Sequence, residues 1–147
     1  MPVRMELSRI LIRELNDYQI IELREVVPEG QSPPEGEPRS FPIVIGLPEA
    51  QAIERRLKGV TIKRPQTHDL LHTVIRELGG ELESISITDL NEHTFYATLD
   101  VRKGTELLHV DARPSDAIAL GIAGDVPIYV AEHVLEGALK EEEEPGV

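Results

Sequence analysis

The chain has 147 residues, 40% of them apolar, no cysteine and a formal net charge of −12. That composition predicts one globular domain with room for a hydrophobic core and excludes disulfides and thiolate metal sites. No run of 18 apolar residues exists to make a membrane-spanning helix, and Arg4, Glu6 and Arg9 interrupt any signal-peptide core, which predicts a cytoplasmic protein. The charge is uneven. Residues 1–66 carry ten basic and ten acidic side chains, residues 67–147 five and seventeen. The general field therefore repels nucleic acid, and any such contact has to be local.

Residues 5–13 alternate apolar and polar side chains, as a half-buried strand does. Asn16-Asp17 supplies turn chemistry, so a second strand returns antiparallel. Residues 27–39, "VPEGQSPPEGEPR", read as a long loop. "FPIVIG" is a third strand, and Pro48 opens a helix where its missing N–H costs nothing. Arg55, Arg56, Lys58, Lys63 and Arg64 follow, with no acid among residues 55–64. This is the one local patch expected to contact RNA or DNA. A helix is predicted over 67–78, with Thr67 as N-cap and Gly79-Gly80 as its end. Its Leu70, Leu71, Val74, Ile75 and Leu78 share one face.

Residues 81–89 form the next alternating strand, turning at Asn91-Glu92. "ELLHVDA" is the last strand of the hairpin series, and Pro114 opens a helix whose "AIALGIAG" is apolar almost all round and so expected to be buried. A short helix at about 131–139 precedes an acidic tail, 140–147, expected to be disordered. The elements define an α+β fold of mostly antiparallel strands with packed helices, in one domain over 1–139.

The chain resembles itself. Residues 6–26 over 81–101 match at Leu7/Leu82, Ile10/Ile85, Ile12/Ile87, Leu15/Leu90 and Asn16/Asn91. Residues 43–62 over 109–128 match at Val44/Val110, Pro48/Pro114 and Val60/Val126. The change of offset falls in the Pro/Gly-rich loop, so a duplicated β-β-β-α unit is expected, with copies at about 5–62 and 81–128. In this alignment "IGLPEA" (45–50) lies over "DARPSD" (111–116). Ile45 becomes Asp111, Leu47 becomes Arg113 and Ala50 becomes Asp116.

This charged corner has two readings. Ser115 and Asp116 suit the first turn of a helix, where acids favour the free N–H groups, and Asp111 and Arg113 could simply pair. Alternatively, Arg113 grips a phosphate or carboxylate with its planar fork, while Asp111 and Asp116 bind a divalent cation or act as bases. His68 and Asp69, in the first turn of the preceding helix, are candidates to join them. "HDLLH" (68–72) has the i, i+4 histidine spacing of a zinc site, but Asp69 is one methylene short of the general base and no third ligand is identifiable. His93 and His133 read as surface residues. No G-x-S-x-G, Walker or G-x-G-x-x-G motif occurs, and five aromatic residues leave few platforms for stacked bases.

"RPQTHDLL" (64–71), "NEHTFYATL" (91–99) and "DARPSDAIALGIAGDVPIYV" (111–130) together resemble the bifunctional nuclease domain family. The resemblance covers about residues 5–137. It implies an α+β fold and weak hydrolysis of RNA and DNA. Its motifs contain His68, Asp69, Phe95, Tyr96, Asp111, Arg113, Pro114, Ser115 and Asp116. "GIAGD" (121–125) departs from the pattern, lacking a basic residue at the helix end. Two functions follow as expectations. One is a low-specificity phosphodiesterase in which Asp111, Asp116 and Asp69 hold Mg²⁺ or Mn²⁺, Arg113 steadies the phosphate, Ser115 lies in the site and His68 moves a proton. The other is a non-enzymatic module for a protein or a small anionic ligand. Exposed strands also predict self-association, with a dimer as the simplest form.

Overall fold

The computed structural model describes residues 2–13, 15–28, 30–31 and 36–143. The acidic stretch 144–147 and much of the 27–39 loop lie outside the described residues. Three strands, β1 (Val3–Leu11), β2 (Gln19–Glu25) and β3 (Ser40–Ile45), lead into helix α1 (Leu47–Leu57). Helix α2 (Thr67–Glu77) follows, then β4 (Gly80–Asn91), β5 (Thr94–Lys103), β6 (Glu106–Ala112) and helix α3 (Pro114–Gly121). A single 3-10 turn (Ile122–Gly124), strand β7 (Ile128–Val130) and helix α4 (Glu132–Glu143) complete it. The fold is α+β as expected. The order β-β-β-α is traversed twice.

The strands form one sheet in the order β3-β2-β1-β7-β4-β5-β6. β7 is the joint between the halves, antiparallel to β1 (Val3 opposite Val130) and parallel to β4 (Ile87 opposite Val130). Every other pairing is antiparallel. The sheet is strongly curled. Phe41 on β3 and Phe95 on β5 stand five places apart in the strand order, yet their rings stack at 5.4 Å. The inner face carries Met5, Ile21, Leu23, Ile43, Ile85, Ile87, Leu99 and Val101, all buried, and the helices supply Ala50, Ile53, Ile118, Leu120, Val134 and Leu135 to the same core.

Local chemistry explains the elements. Both prolines sit in the first helical turn, at α1 and α3. The β4–β5 turn falls one residue later than expected, on Glu92 and His93, both with positive φ, the geometry of a tight hairpin turn that matches strand twist. In the first hairpin the buried Gln19 pins the loop: its amide Nε2 donates to the carbonyls of Arg13 (2.9 Å) and Asn16 (3.2 Å) while its Oε1 accepts from Arg13 N–H.

Three expectations need correction. The N-cap of α2 is Gln66, not Thr67, because Gln66 and Asp69 form a reciprocal capping box. α4 runs to Glu143 rather than ending near 139, so residues 140–143 of the expected tail are helical. And the registers of the two helix starts differ by one residue from the sequence match. The first helical bonds are Ala50 N–H to Gly46 O and Ala117 N–H to Arg113 O, which places Glu49 opposite Asp116, Gly46 opposite Arg113 and Val44 opposite Asp111. The apolar face of α2 lies largely open, with Leu70, Leu71, Val74 and Leu78 exposed and Ile75 packed against the core.

Candidate functional site

The N-termini of α1 and α3 meet, and the first turn of α2 closes on them. Arg113, the N-cap of α3, is held by both acids that the helical register makes equivalent. Its Nε donates to Asp116 Oδ2 at 2.8 Å and its Nη2 to Glu49 Oε1 at 2.5 Å. The other oxygen of Asp116 lies 3.0 Å from His68 Nε2. A continuous polar chain, His68–Asp116–Arg113–Glu49, therefore links three helices.

Its electrostatics follow from burial and partners. Burial alone would raise the Asp116 carboxyl, but hydrogen bonds from Arg113 and His68, helped by their charges, outweigh it and hold the group below the usual carboxylate range. The same bonds to Asp116 and Glu49 raise Arg113. A carboxylate only accepts, so His68 donates from Nε2 and its neutral ring keeps Nδ1 as the basic nitrogen. Arg113 uses Nε and Nη2, leaving Nη1 without a partner among the described residues, and its side chain is 65% exposed. Glu49 is the opposite case: it is buried, and its Oε2 has no donor among the described residues.

His68, Arg113 and Asp116 sit at one end of an open groove of about 680 Å³ between α2 and β6, walled by Leu71, Ile75, Leu99, Val110 and Leu120. Lys103, whose strand partner is Gly80 just past α2, marks the other end.

The remaining sequence candidates are elsewhere. Asp69 turns to the far side of α2, where it bonds Arg55 (3.1 Å) and Arg56 and caps its own helix through Gln66 N–H (3.0 Å). Asp111 borders the groove only through its place on β6. Its strand partner is Thr98, whereas Ala97, Leu99 and Val101 face the helices. Alternation thus turns its carboxylate to the opposite, open face of the sheet, where it has no hydrogen-bond or ion-pair partner among the described residues. Ser115 is buried and borders a different cleft, with Gly46 and Phe95. The three carboxylates expected to share Mg²⁺ or Mn²⁺ thus look in three directions. Among the described residues no group of three His, Asp or Glu side chains is arranged to hold a metal ion, so this donor set does not fit such a centre. Of the basic patch, Arg55 and Arg56 converge with Lys63 and Arg64 around Asp69 in a shallow cleft, whereas Lys58 pairs with Glu54 at 3.5 Å. His93 and His133 are exposed surface residues, as expected.

Two features were not anticipated. One is Glu49, which the sequence alignment had set against Ser115. The other lies on the open face: buried Asp100 accepts hydrogen bonds from Ser84 (2.7 Å), Ser86 (2.6 Å) and Thr98 (2.9 Å), and from His109 Nδ1 (2.8 Å). Burial pushes the Asp100 carboxyl up, but these four donors together hold it below its usual value. The alternation S-x-S, T-x-D and H-x-D in three paired strands is the signal that would have revealed it.

An α+β domain with a curled sheet and an ion-paired corner where three helices meet is the class that fold and site define. Residues 33–143 match the model of the bifunctional nuclease domain; the chain belongs to that family. An uncharacterised protein of Mycobacterium tuberculosis (strain H37Rv) is 46% identical over 100 residues, which are 68% of this chain and 59% of that protein. "Bifunctional nuclease 1" of Arabidopsis thaliana is 24% identical over 97 residues, covering 64% of this chain and 30% of its own. "Bifunctional nuclease 1" of Oryza sativa subsp. japonica is 22% identical over 125 residues, covering 81% and 38%. The chain thus spans about three-fifths of the mycobacterial relative and about a third of the plant ones. No helix among the described residues is long and apolar enough to cross a membrane.

Proposed function

We propose that this domain is a slow, low-specificity nuclease that cleaves phosphodiester bonds of RNA and DNA at the His68–Asp116–Arg113 corner. The observation that carries the reading is the 3.0 Å contact between His68 Nε2 and Asp116, beside an exposed guanidinium with one free nitrogen. Asp116 orients the imidazole, as an orienting carboxylate does for a general base. His68 takes a proton from the attacking water, the new P–O bond forms, and the bond to the leaving oxygen breaks. His68 then returns the proton to that oxygen, leaving an alcohol and a phosphate monoester. Arg113 steadies the non-bridging phosphate oxygens. Lys63 and Arg64 contact the neighbouring backbone phosphates, while Arg55, Arg56 and Lys58 act more weakly because Asp69 and Glu54 neutralise them. No step is routed through a metal.

The test is cleavage of single-stranded RNA and DNA by the purified chain, with Mg²⁺, with Mn²⁺ and with a chelator. His68→Ala is expected to slow cleavage about 10²-fold or more, the usual worth of a positioned acid–base group. Lys63→Glu with Arg64→Glu should raise KM and flatten the salt dependence while leaving kcat near normal. Equal rates for the parent and His68→Ala would end the proposal. A strict need for Mn²⁺ or Mg²⁺, abolished by Asp116→Asn, would restore the metal reading in its place.

A second reading has its own support in the groove, whose walls are mostly apolar and whose inward-facing acid, Asp116, is already paired with His68 and Arg113. A non-enzymatic module would take an amphipathic ligand there, and that ligand would raise the melting temperature with no turnover.

A further inference from the structure

We infer that β6 is a self-complementary edge through which two copies of this chain pair antiparallel about a two-fold axis at Val110, joining two seven-stranded sheets into one. This goes beyond the hydrolytic reading and does not depend on it.

The sheet has two edges, and they differ. β3 carries Pro42 in its middle, which removes a donor and protects that edge. β6 has no proline and no lysine. Among the described residues none of its backbone groups bonds to anything beyond β5, and its Leu107, Leu108 and Val110 are exposed. A bare apolar edge of this kind is what monomeric proteins avoid.

Strand geometry then restricts the register. In a two-fold antiparallel pair, opposite residues must point to the same face. On β6 the even positions, Glu106 to Ala112, face the helices and the odd positions face the open side. The axis must therefore pass through a residue, and three positions keep most of the strand paired. An axis at Leu108 sets Val110 against the partner's Glu106. An axis at His109 sets histidine against histidine and Leu107 against the partner's Asp111. An axis at Val110 sets Val110 against itself, Leu108 against the partner's Ala112, and His109 against the partner's Asp111, twice. Only this register is apolar throughout on the helix face and complementary in charge on the open face.

The side chains are already prepared for it. Asp100 holds His109 through Nδ1 at 2.8 Å, leaving Nε2 without a partner, and Asp111 has no partner in its own chain among the described residues. A ring that serves both carboxylates carries both protons. The pairing also gives the α2–β6 groove a second wall. It becomes one trough floored by β6 and the partner's β6, lined by the exposed rows of both α2 helices.

The chain has no cysteine, so single cysteines report the register cleanly. Facing residues of an antiparallel pair have Cα atoms about 4.5–5.5 Å apart, within the range of about 4.4–6.8 Å that a disulfide accepts. Leu108→Cys, His109→Cys and Val110→Cys would be oxidised mildly in the full chain, with sedimentation velocity giving the mass of the parent and melting curves confirming folding. A dimeric parent whose Val110→Cys variant cross-links fastest, and whose Asp111→Lys variant dissociates at least tenfold more readily, supports the inference. A monomeric parent, a dimer in which Val110→Cys does not cross-link, or faster cross-linking at 108 or 109 overturns it.

Discussion

Asp100 and Glu49 show how one residue type behaves in opposite settings. Asp100 is buried but fully served by three hydroxyls and His109. Its pKa is depressed, so the stability it contributes is present above the unfolded carboxylate value, about 4, and is lost as pH falls through the lower folded value. Urea titrations between pH 2 and 6 should show that loss, and Asp100→Asn should flatten it while costing about 1–3 kcal/mol at neutral pH through mismatched hydroxyls. Glu49 is buried with one oxygen already lacking a donor among the described residues. Arg113→Ala should therefore cost about 1–3 kcal/mol, and Glu49→Gln should recover part of that loss in the Arg113→Ala background more than in the parent. Equal effects of Glu49→Gln in both backgrounds would show that the contact carries no energy. At this scale the sequence was read in part. Arg113 and Asp116 stood out because charges at an apolar junction are unexpected, and His68 because it opens a helix with a second histidine four residues on. Asp69, beside His68, and Asp111, at the junction, stood out too, yet a helix face and a strand face carry their carboxylates away, and a linear motif does not record which way a side chain turns.

Elements were read more securely than their environments. The alternating runs and the two prolines identified strands and helices because pleat and φ restriction act locally. Packing does not: the sequence marks an apolar face on α2, yet α2 contributes no buried residue. α3 is the contrasting case, apolar all round and buried from Pro114 to Gly121 save Asp116. Its close seat on β4 needs Gly121, where an added Cβ would come within 2.4 Å of Ile85 Cδ1. Gly121→Ala is expected to cost about 1–3 kcal/mol by overpacking. Ile85→Val removes the offending methyl group and on its own costs about 0.5–1.5 kcal/mol. The double variant should be more stable than the sum of the two losses predicts, as chemical denaturation would show; strict additivity would mean that α3 shifts freely.

The whole molecule is held in its curl by contacts between distant strands. Phe41 and Phe95 stack across it, and Arg39 ties β2 to α4 through Glu25 (2.9 Å) and Glu132 (2.6 Å). A double-mutant cycle on the two phenylalanines should return about 0.5–1.5 kcal/mol of coupling; none would mean that the rings touch without holding the curl. None of this was legible in the sequence, because the match between the halves suggested two similar units without saying how they join. The joint is β7, three residues long, and in the sheet the two halves meet through it alone. Those residues follow all six of the other strands in the chain. On a ribosome, β1 to β3 must wait as an open half-sheet until residues 128–130 have been synthesised and have cleared the exit tunnel. Closure is thus a late, long-range event, and a transcript cut short before Ile128 yields two unjoined halves with bare edges, a substrate for chaperones or proteases rather than a smaller working domain.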